Sequence, residues 1–204
     1  MKENIKPEKI FSIPNILSMI RILLVPVFAI LYFVKVKDHY LYAALVLLLS
    51  GASDVLDGII ARKFNMITAF GKLLDPLADK LTQAVVVICL AVNHNELIPV
   101  LVLLLAKEFS MLLGAVRLLK MGLRPSESKW WGKLSTVMLY VMFVVALLSD
   151  IVAGIPSVVI IVFAVLASIC LLFSLFNYYP IFKEIQNGEY DIETEKKVEH
   201  TAGK

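Results

Sequence analysis

Long apolar runs alternate with short polar connections along most of the chain. Each run covers about 17–23 residues, which is the length of α-helix needed to cross the roughly 30 Å apolar core of a bilayer. The pattern predicts six membrane-spanning helices, at about 15–35, 41–60, 73–92, 97–119, 133–149 and 157–177. The residues before Pro14 are polar and basic, which predicts a short interfacial helix at the N-terminus.

The composition agrees with an all-α, polytopic membrane protein. Hydrophobic residues make up 59% of the 204 residues, against roughly 45–50% in a soluble domain. We expect one membrane domain over 1–182, including an interfacial segment at 1–13, and then a charged cytoplasmic tail at 183–204. The net charge of +3 is too small to indicate a nucleic-acid partner. The apolar composition instead makes the lipid bilayer the expected surroundings of the chain.

The basic residues predict how the helices are oriented. Six spans place both termini on one side of the membrane, and the opposite side carries only Lys35 and Lys37. The side of the termini holds Lys2, Lys6, Lys9, Arg21, Arg62, Lys63, Lys72, Lys80, Arg117, Lys120, Arg124, Lys129, Lys133 and the tail lysines. The positive-inside rule therefore places both termini in the cytoplasm.

Cysteine and histidine do not predict a metal site in this sequence. Cys89 and Cys170 lie within apolar runs, where we expect them to be small packing residues. His39, His94 and His200 fall in short connections or in the tail, without the spacing of metal ligands. We therefore expect the histidines to be solvated.

Four aspartates fall within 26 residues of this apolar sequence. Asp54 and Asp57 are three residues apart, and Asp75 and Asp79 are four apart, so each pair projects from one face of a helix. The segment between the pairs predicts a turn joining two antiparallel helices. Four carboxylates that close together need cations, and Mg²⁺ or Mn²⁺ are the natural partners. Solvated loop carboxylates are the alternative, but they do not explain two helical pairs that each begin or end an apolar run.

Residues beside the aspartates have properties that suit a phosphorylated ligand. Arg62 lies one helical turn beyond Gly58, and its planar cation can bind a diphosphate through two hydrogen bonds. Gly58 and Ala61 are small and allow close approach of a ligand, although small residues more commonly serve helix packing. Thr68 and Gly71 lie in the turn, where a hydroxyl and a bare backbone can contact a nucleotide.

The spacing of these residues resembles the signature of the CDP-alcohol phosphotransferase family. The chain matches its eight fixed positions, which are Asp54, Asp57, Gly58, Ala61, Arg62, Gly71, Asp75 and Asp79. Eight fixed residues at fixed spacings make a specific match. The signature covers only 26 of the 204 residues, but the hydropathy profile also resembles that of the family over most of the chain.

The resemblance implies an enzyme that transfers the phosphatidyl group of CDP-diacylglycerol to an alcohol and releases CMP. By this resemblance the four aspartates hold two Mg²⁺ or Mn²⁺ ions, and Asp79 also acts as the catalytic base for the acceptor hydroxyl. The implied CDP-lipid site includes Gly58, Ala61, Arg62, Thr68 and Gly71. A homodimer in a prokaryotic inner membrane is also implied. The positive-inside rule places the aspartate cluster, like the termini, on the cytoplasmic side.

The start of the first span resembles a motif of the phospholipid-synthesising members of this family. The motif reads Ile13-Pro14-Asn15-Ile16-Leu17-Ser18-Met19-Ile20-Arg21. The resemblance implies that Asn15, Ser18 and Arg21 line the CDP-lipid pocket. From chemistry alone, Asn15 would cap the helix and Arg21 would extend to the membrane surface, so both interpretations stay open.

Two further stretches resemble phosphatidylglycerophosphate synthases, whose acceptor is glycerol 3-phosphate. Lys107-Glu108 resembles their Arg-Glu pair, and Gly132-Lys133 begins their Gly-Lys-x-Lys-Thr stretch. The predicted acceptor-binding residues are Lys107, Glu108, Arg117, Lys129 and Lys133. The chain departs from the pattern at Ser135, which stands for the second lysine, and at Ala115, which stands for an arginine. Basic residues here also attract anionic lipids, by about 1 kcal/mol each.

These departures leave the acceptor open. We expect glycerol 3-phosphate, and a cardiolipin synthase of the same family, which uses phosphatidylglycerol, is the alternative. A cation transporter with the aspartates as its ion site is the alternative from another class. Transporter sites lie near the bilayer midplane and often between repeated halves, whereas these aspartates lie at the ends of spans and the sequence has no visible repeat.

Overall fold

The computed structural model describes residues 12–64, 68, 70–120, 130–152 and 154–187. Its elements are α1 (Ile13–Phe33), α2 (His39–Lys63), α3 (Gly71–Asn93), a 3₁₀ turn (Asn95–Leu97), α4 (Ile98–Lys120), α5 (Trp130–Ile151) and α6 (Ser157–Asn187). The described residues contain no β-strand. The prediction of an all-α protein is therefore confirmed.

Most of these helices can cross a membrane. By length and apolar composition, five of the described helices qualify, namely α1, α2, α4, α5 and α6. α3 also has the length of a span, 23 residues, but its first half carries Asp75, Asp79 and Lys80. Large apolar side chains such as Leu23 and Phe176 are exposed on the outside of the bundle, as expected of helices surrounded by lipid. The chain is a polytopic membrane protein, as predicted.

Five of the six predicted spans agree with the helices to within three residues at each end. The sixth prediction ended too early, because α6 continues to Asn187, ten residues beyond 177. The apolar run ends near Pro180, but the helix continues through it into polar sequence. Residues 183–187 of the predicted tail therefore belong to α6. Residues 1–11 and 188–204, with most of the predicted interfacial helix and tail, lie outside the described residues.

The first helix is packed against the two helices that carry the aspartates. α1 lies against both α2 and α3, while α5 pairs with α6. Pro14 stands in the first turn of α1, and the Ser12 side chain accepts a hydrogen bond from the backbone nitrogen of Asn15 at 3.4 Å, which fixes where the helix begins. Asn15, Ser18 and Arg21 are spaced three residues apart, and all three are buried. They form one polar face of α1 inside the bundle.

A second polar network joins the helices at the end away from the aspartates. The Tyr32 hydroxyl donates to Oδ2 of Asp150 at 2.7 Å and accepts from Nδ2 of Asn93 at 3.0 Å. Nε2 of His94 lies 3.1 Å from the other carboxylate oxygen of Asp150. The expectation that His94 is solvated was wrong, because the fold brings Asp150 to its ring from 56 residues away. These contacts tie α1, α3 and α5 together.

Replacing Tyr32 with phenylalanine is expected to lower stability. The change removes a hydroxyl that bonds a carboxylate and keeps the buried ring, so about 1.5–3 kcal/mol is lost and the melting temperature falls by several degrees. Thermal unfolding in detergent micelles measures the effect. Tyr42→Phe is the control, since Tyr42 is exposed; equal decreases in both variants would contradict the role given to this network.

Candidate active site

The four aspartates lie at the same end of the helix pair formed by α2 and α3. Asp54 and Asp57 are in the last three turns of α2, and Asp75 and Asp79 are in the first three turns of α3. Asp57 is buried, with 4% of its surface exposed. Arg21 contacts both Asp54 and Asp57, Ser18 contacts both Asp57 and Asp75, and Asp79 follows Asp75 by one helical turn. The structure therefore brings these four side chains together, as the spacing predicted.

Side chains of α1 connect three of the aspartates. Nη2 of Arg21 donates to Oδ2 of Asp57 at 2.6 Å. Nη1 of Arg21 lies 2.6 Å from Oδ1 of Asp54, an ion pair without hydrogen-bond geometry. The Ser18 hydroxyl donates to Oδ1 of Asp75 and lies 3.4 Å from Oδ2 of Asp57. Arg21 and Ser18 thus act inside the bundle, and Arg21 does not extend to the membrane surface.

Asp79 has different neighbours from the other three aspartates. Its Oδ2 accepts a hydrogen bond from Nε2 of Gln83 at 2.8 Å. Its Oδ1 accepts one from the hydroxyl of Tyr140, on α5, at 3.2 Å. Both carboxylate oxygens are therefore held by neutral donors.

The charge balance of the site favours bound cations. Arg21 pairs with two of the four carboxylates, those of Asp54 and Asp57, so negative charge is in excess among these five side chains, and buried charge without a partner is costly. In the described part of the chain, no three acidic, histidine or cysteine side chains surround a single ion position, and Arg21 instead bridges Asp54 and Asp57. Carboxylate oxygen is nevertheless the donor type that Mg²⁺ and Mn²⁺ prefer. By charge and donor type the aspartates fit divalent cations.

Asn15, Thr68 and Gly71 form a compact cluster beside the aspartates. The Thr68 hydroxyl lies 3.0 Å from Nδ2 and 3.1 Å from Oδ1 of Asn15, and it accepts from the backbone nitrogen of Gly71 at 2.9 Å. A Cβ atom at Gly71 would clash with Oδ1 of Asn15 and lie 3.0 Å from the Thr68 hydroxyl. Gly71 therefore permits a close approach between the start of α3 and α1.

The remaining CDP-site residues follow Asp57 on α2. Gly58 and Ala61 are half-buried there. Arg62 belongs to α2, but its side chain lies outside the described part of the chain. All three are within the last two turns of the helix that carries Asp54 and Asp57.

Two of the predicted acceptor-binding residues lie close to Asp79. Lys107 is 3% exposed, and its Nζ lies 3.2 Å from Oγ of Ser135 and 3.6 Å from Oε1 of Glu108. The same Glu108 oxygen lies 2.8 Å from Nζ of Lys80. The charge of Asp79 also acts on Lys107. A polar cluster from α3, α4 and α5 thus adjoins Asp79.

Two other predicted acceptor-binding residues, Arg117 and Lys133, do not belong to the cluster around Lys107. Arg117 and Lys133 are exposed, and Lys129 lies outside the described residues. Sequence reasoning assigned no site role to four residues around Asp79 and Lys107, which are Lys80, Gln83, Ser135 and Tyr140. Lys80 and Gln83 were detectable, since they are one and four residues after Asp79 on the same helix; Tyr140 had no such signal.

The sequence of the chain is similar to those of several known proteins. A family model described as CDP-alcohol phosphatidyltransferase matches residues 11–174. A CDP-diacylglycerol--glycerol-3-phosphate 3-phosphatidyltransferase of Rickettsia typhi is 41% identical over 99 residues, 48% of this chain and 55% of that protein. A protein of the same name from Aquifex aeolicus is 36% identical over 128 residues, 62% of this chain and 70% of that protein. A cardiolipin synthase (CMP-forming) of Streptomyces coelicolor is 37% identical over 153 residues, 72% of this chain and 69% of that protein.

The extent of these matches differs. The chain spans about half the length of the Rickettsia relatives that it matches. The family match, in contrast, covers most of the chain and includes the four aspartates, the polar face of α1 and the cluster around Lys107. On that ground the chain belongs to the CDP-alcohol phosphatidyltransferase family.

Proposed function

We propose that this protein transfers the phosphatidyl group of CDP-diacylglycerol to glycerol 3-phosphate, giving phosphatidylglycerophosphate and CMP. Family membership and the names of the Rickettsia and Aquifex relatives support this reaction. The observation that carries the proposal is the position of Asp79, between the other aspartates and the cluster that contains the buried Lys107 side chain. An acid-rich site beside a buried lysine suits a reaction between two phosphorylated substrates.

The proposed reaction is a displacement at the β-phosphorus of the donor. Asp79 takes the proton from the acceptor hydroxyl, whose oxygen forms a bond to that phosphorus. The bond from the same phosphorus to the oxygen bridging the diphosphate breaks, and that oxygen leaves with CMP. The proton balance closes with one proton released from the hydroxyl for each CMP formed.

Two divalent cations, Mg²⁺ or Mn²⁺, are proposed as cofactors. The residues that would hold them are Asp54, Asp57, Asp75 and Asp79. When bound, such ions supply positive charge that stabilises the diphosphate oxygens and the departing CMP. The chain itself contributes the carboxylates, and Arg21 and Ser18 hold three of them in place.

The donor is proposed to bind where α1, α2 and the start of α3 meet. The residues assigned to CDP-lipid binding are Asn15, Ser18, Arg21, Gly58, Ala61, Arg62, Thr68 and Gly71. Arg21 lies against Asp54 and Asp57, so it is placed to contact a diphosphate bound at those aspartates. The close packing of Asn15, Thr68 and Gly71 gives this end of the site a fixed shape.

The acceptor is proposed to bind on the other side of Asp79, toward α4 and α5. Lys107 offers a buried cation for a phosphate group, while Glu108 neutralises Lys80. Ser135 contacts Lys107 directly, so the departure from the lysine of related enzymes leaves one buried ammonium beside a hydroxyl. Arg117, Lys129 and Lys133 are included in this proposal as outer basic residues that attract the anionic acceptor.

Replacing Lys107 with methionine is expected to raise the KM for glycerol 3-phosphate by about 10- to 100-fold, because a charge-assisted hydrogen bond to the phosphate is lost. The KM for CDP-diacylglycerol should change little. Lys183→Met is the matched control, since Lys183 is an exposed lysine on α6. Steady-state kinetics in mixed micelles measures both constants, and an unchanged acceptor KM in Lys107→Met would remove this residue from the acceptor site.

A cardiolipin synthase is the second candidate. The Streptomyces coelicolor relative of that name aligns over 72% of this chain, more than the Rickettsia typhi relative does. The cluster around Lys107 contains two lysines and one glutamate, Lys80, Lys107 and Glu108, a formal charge of +1 that also suits the singly charged phosphodiester of phosphatidylglycerol. A cation transporter receives no comparable support, since the family is one of transferases.

The deciding experiment offers the purified protein CDP-diacylglycerol with Mn²⁺ and each acceptor in turn. Glycerol 3-phosphate, phosphatidylglycerol, inositol phosphate and serine are the acceptors, and mass spectrometry identifies the lipid product. Phosphatidylglycerophosphate with release of CMP is expected. Cardiolipin as the product would favour the second candidate, and no CMP with any acceptor would exclude both.

The membrane setting belongs to the same proposal. We expect a homodimer in the inner membrane, with the active site, both termini and the tail after residue 182 in the cytoplasm. The excess of basic residues on that side supports the orientation. Labelling of single cysteines introduced at Lys37 and Lys183 in intact cells tests it, since only the first should react with an impermeant reagent.

A further inference from the structure

Two donors hold the two carboxylate oxygens of Asp79. Gln83 donates to Oδ2 at 2.8 Å, and Tyr140 donates to Oδ1 at 3.2 Å. Asp54, Asp57 and Asp75 have a different set of partners, because they contact Ser18 and Arg21 of α1. Asp79 is therefore set apart from the other aspartates.

The two donors are themselves held in place. Gln83 is 1% exposed and lies one turn after Asp79 on α3, so its amide and the carboxylate are neighbours on one helix face. Tyr140 comes from α5, and its ring packs edge-on against Phe143, with centroids 5.6 Å apart. Donors on two different helices fix the plane of the Asp79 carboxylate, which one donor alone would not do.

We propose that Gln83 and Tyr140 are positioning residues that orient the Asp79 carboxylate toward the acceptor hydroxyl. The inference rests on the proposed function, in which Asp79 is the base. A carboxylate has about four lone-pair positions, so two held by these donors leave two others, for the proposed metal and for the incoming hydroxyl. A base works only within hydrogen-bond reach of the proton, and small errors in its placement reduce the rate strongly.

The alternative is a purely structural bond, since buried polar groups generally need partners. The two roles differ in kinetics. Loss of orientation slows the chemical step and leaves substrate binding intact, so kcat falls at constant KM. Loss of a structural bond lowers the melting temperature and leaves kcat of the folded protein unchanged.

The test uses Tyr140→Phe and Gln83→Met, which remove the donors and keep most of the side-chain volume. Each variant is expected to lower kcat by about 10- to 100-fold, with an unchanged KM for CDP-diacylglycerol when kcat is measured at saturating Mn²⁺. The double variant should lose less than the product of the two single effects, because both donors act through one carboxylate.

Two matched controls separate this effect from general damage. Tyr32→Phe also removes a tyrosine hydroxyl that bonds an aspartate, but at the opposite end of the helices. Thr82→Val removes a buried hydroxyl next to Gln83 that bonds only the backbone oxygen of Ala78 in the described structure. Both controls should keep the kcat of the unmodified protein.

The outcomes distinguish failure of the proposed function from failure of the positioning role. If the unmodified protein releases no CMP from CDP-diacylglycerol with any acceptor, the proposed function fails. If it is active and Tyr140→Phe keeps its kcat, or if Tyr32→Phe loses as much, only the positioning role is overturned. If Gln83→Met does not fold, Tyr140→Phe decides alone, because it removes only the hydroxyl and preserves the ring.

Discussion

Replacing Asp79 with asparagine is expected to abolish turnover while the protein stays folded. Asparagine has nearly the same shape, so it still fits between Gln83 and Tyr140. It cannot take a proton from the acceptor hydroxyl, and loss of a general base costs about 10²–10⁴-fold in rate. CMP release from CDP-diacylglycerol measures the effect, and size-exclusion chromatography in detergent reports folding.

Asp150→Asn is the matched control for this substitution. It changes another largely buried aspartate that also accepts from a tyrosine hydroxyl, but this aspartate lies at the end of α5, away from Asp79. We expect it to reduce stability and to retain turnover. Activity of Asp79→Asn equal to that of the unmodified protein would refute the assignment of Asp79 as the base.

Local sequence patterns were sufficient to predict the helices and the aspartate cluster. Membrane spans are recognisable because the bilayer requires about 20 apolar residues in a row. The four aspartates could be placed together because each pair shares a helix face and a short connection reverses the chain. The end of α6 was predicted ten residues too early, since the apolar run reports the membrane boundary and not the end of the helix.

Contacts between distant helices could not be predicted in the same way. Asn15, Ser18 and Arg21 were identified only through a resemblance, and their chemistry alone favoured a surface position for Arg21. The structure buries Arg21 because α1 packs on both α2 and α3. Tyr140 and Asp150 carry no local signal either, because each acquires its role from a partner 61 or 118 residues away, Asp79 or Tyr32.

Replacing Asp57 with asparagine is expected to weaken the proposed metal site more than the chemical step. Asp57 is buried and contacts both Arg21 and Ser18. A neutral amide is a poorer partner for Mg²⁺ or Mn²⁺ than a carboxylate, so the half-saturating Mn²⁺ concentration should rise by at least about tenfold. Activity as a function of Mn²⁺ concentration, with direct Mn²⁺ binding by electron paramagnetic resonance, measures the change.

Comparing Asp57→Asn with Asp79→Asn separates an aspartate proposed to hold metal only from one proposed to hold metal and also to act as the base. High Mn²⁺ should restore part of the activity of Asp57→Asn, because Asp79 and its two donors remain in place. No Mn²⁺ concentration should restore Asp79→Asn, because this variant also lacks the proton acceptor, which added metal does not supply. Asp38→Asn is the control for the loss of a charge, since Asp38 is exposed before α2 in a left-handed conformation that asparagine also adopts. If Asp57→Asn has the same Mn²⁺ dependence as Asp38→Asn, Asp57 does not hold a metal.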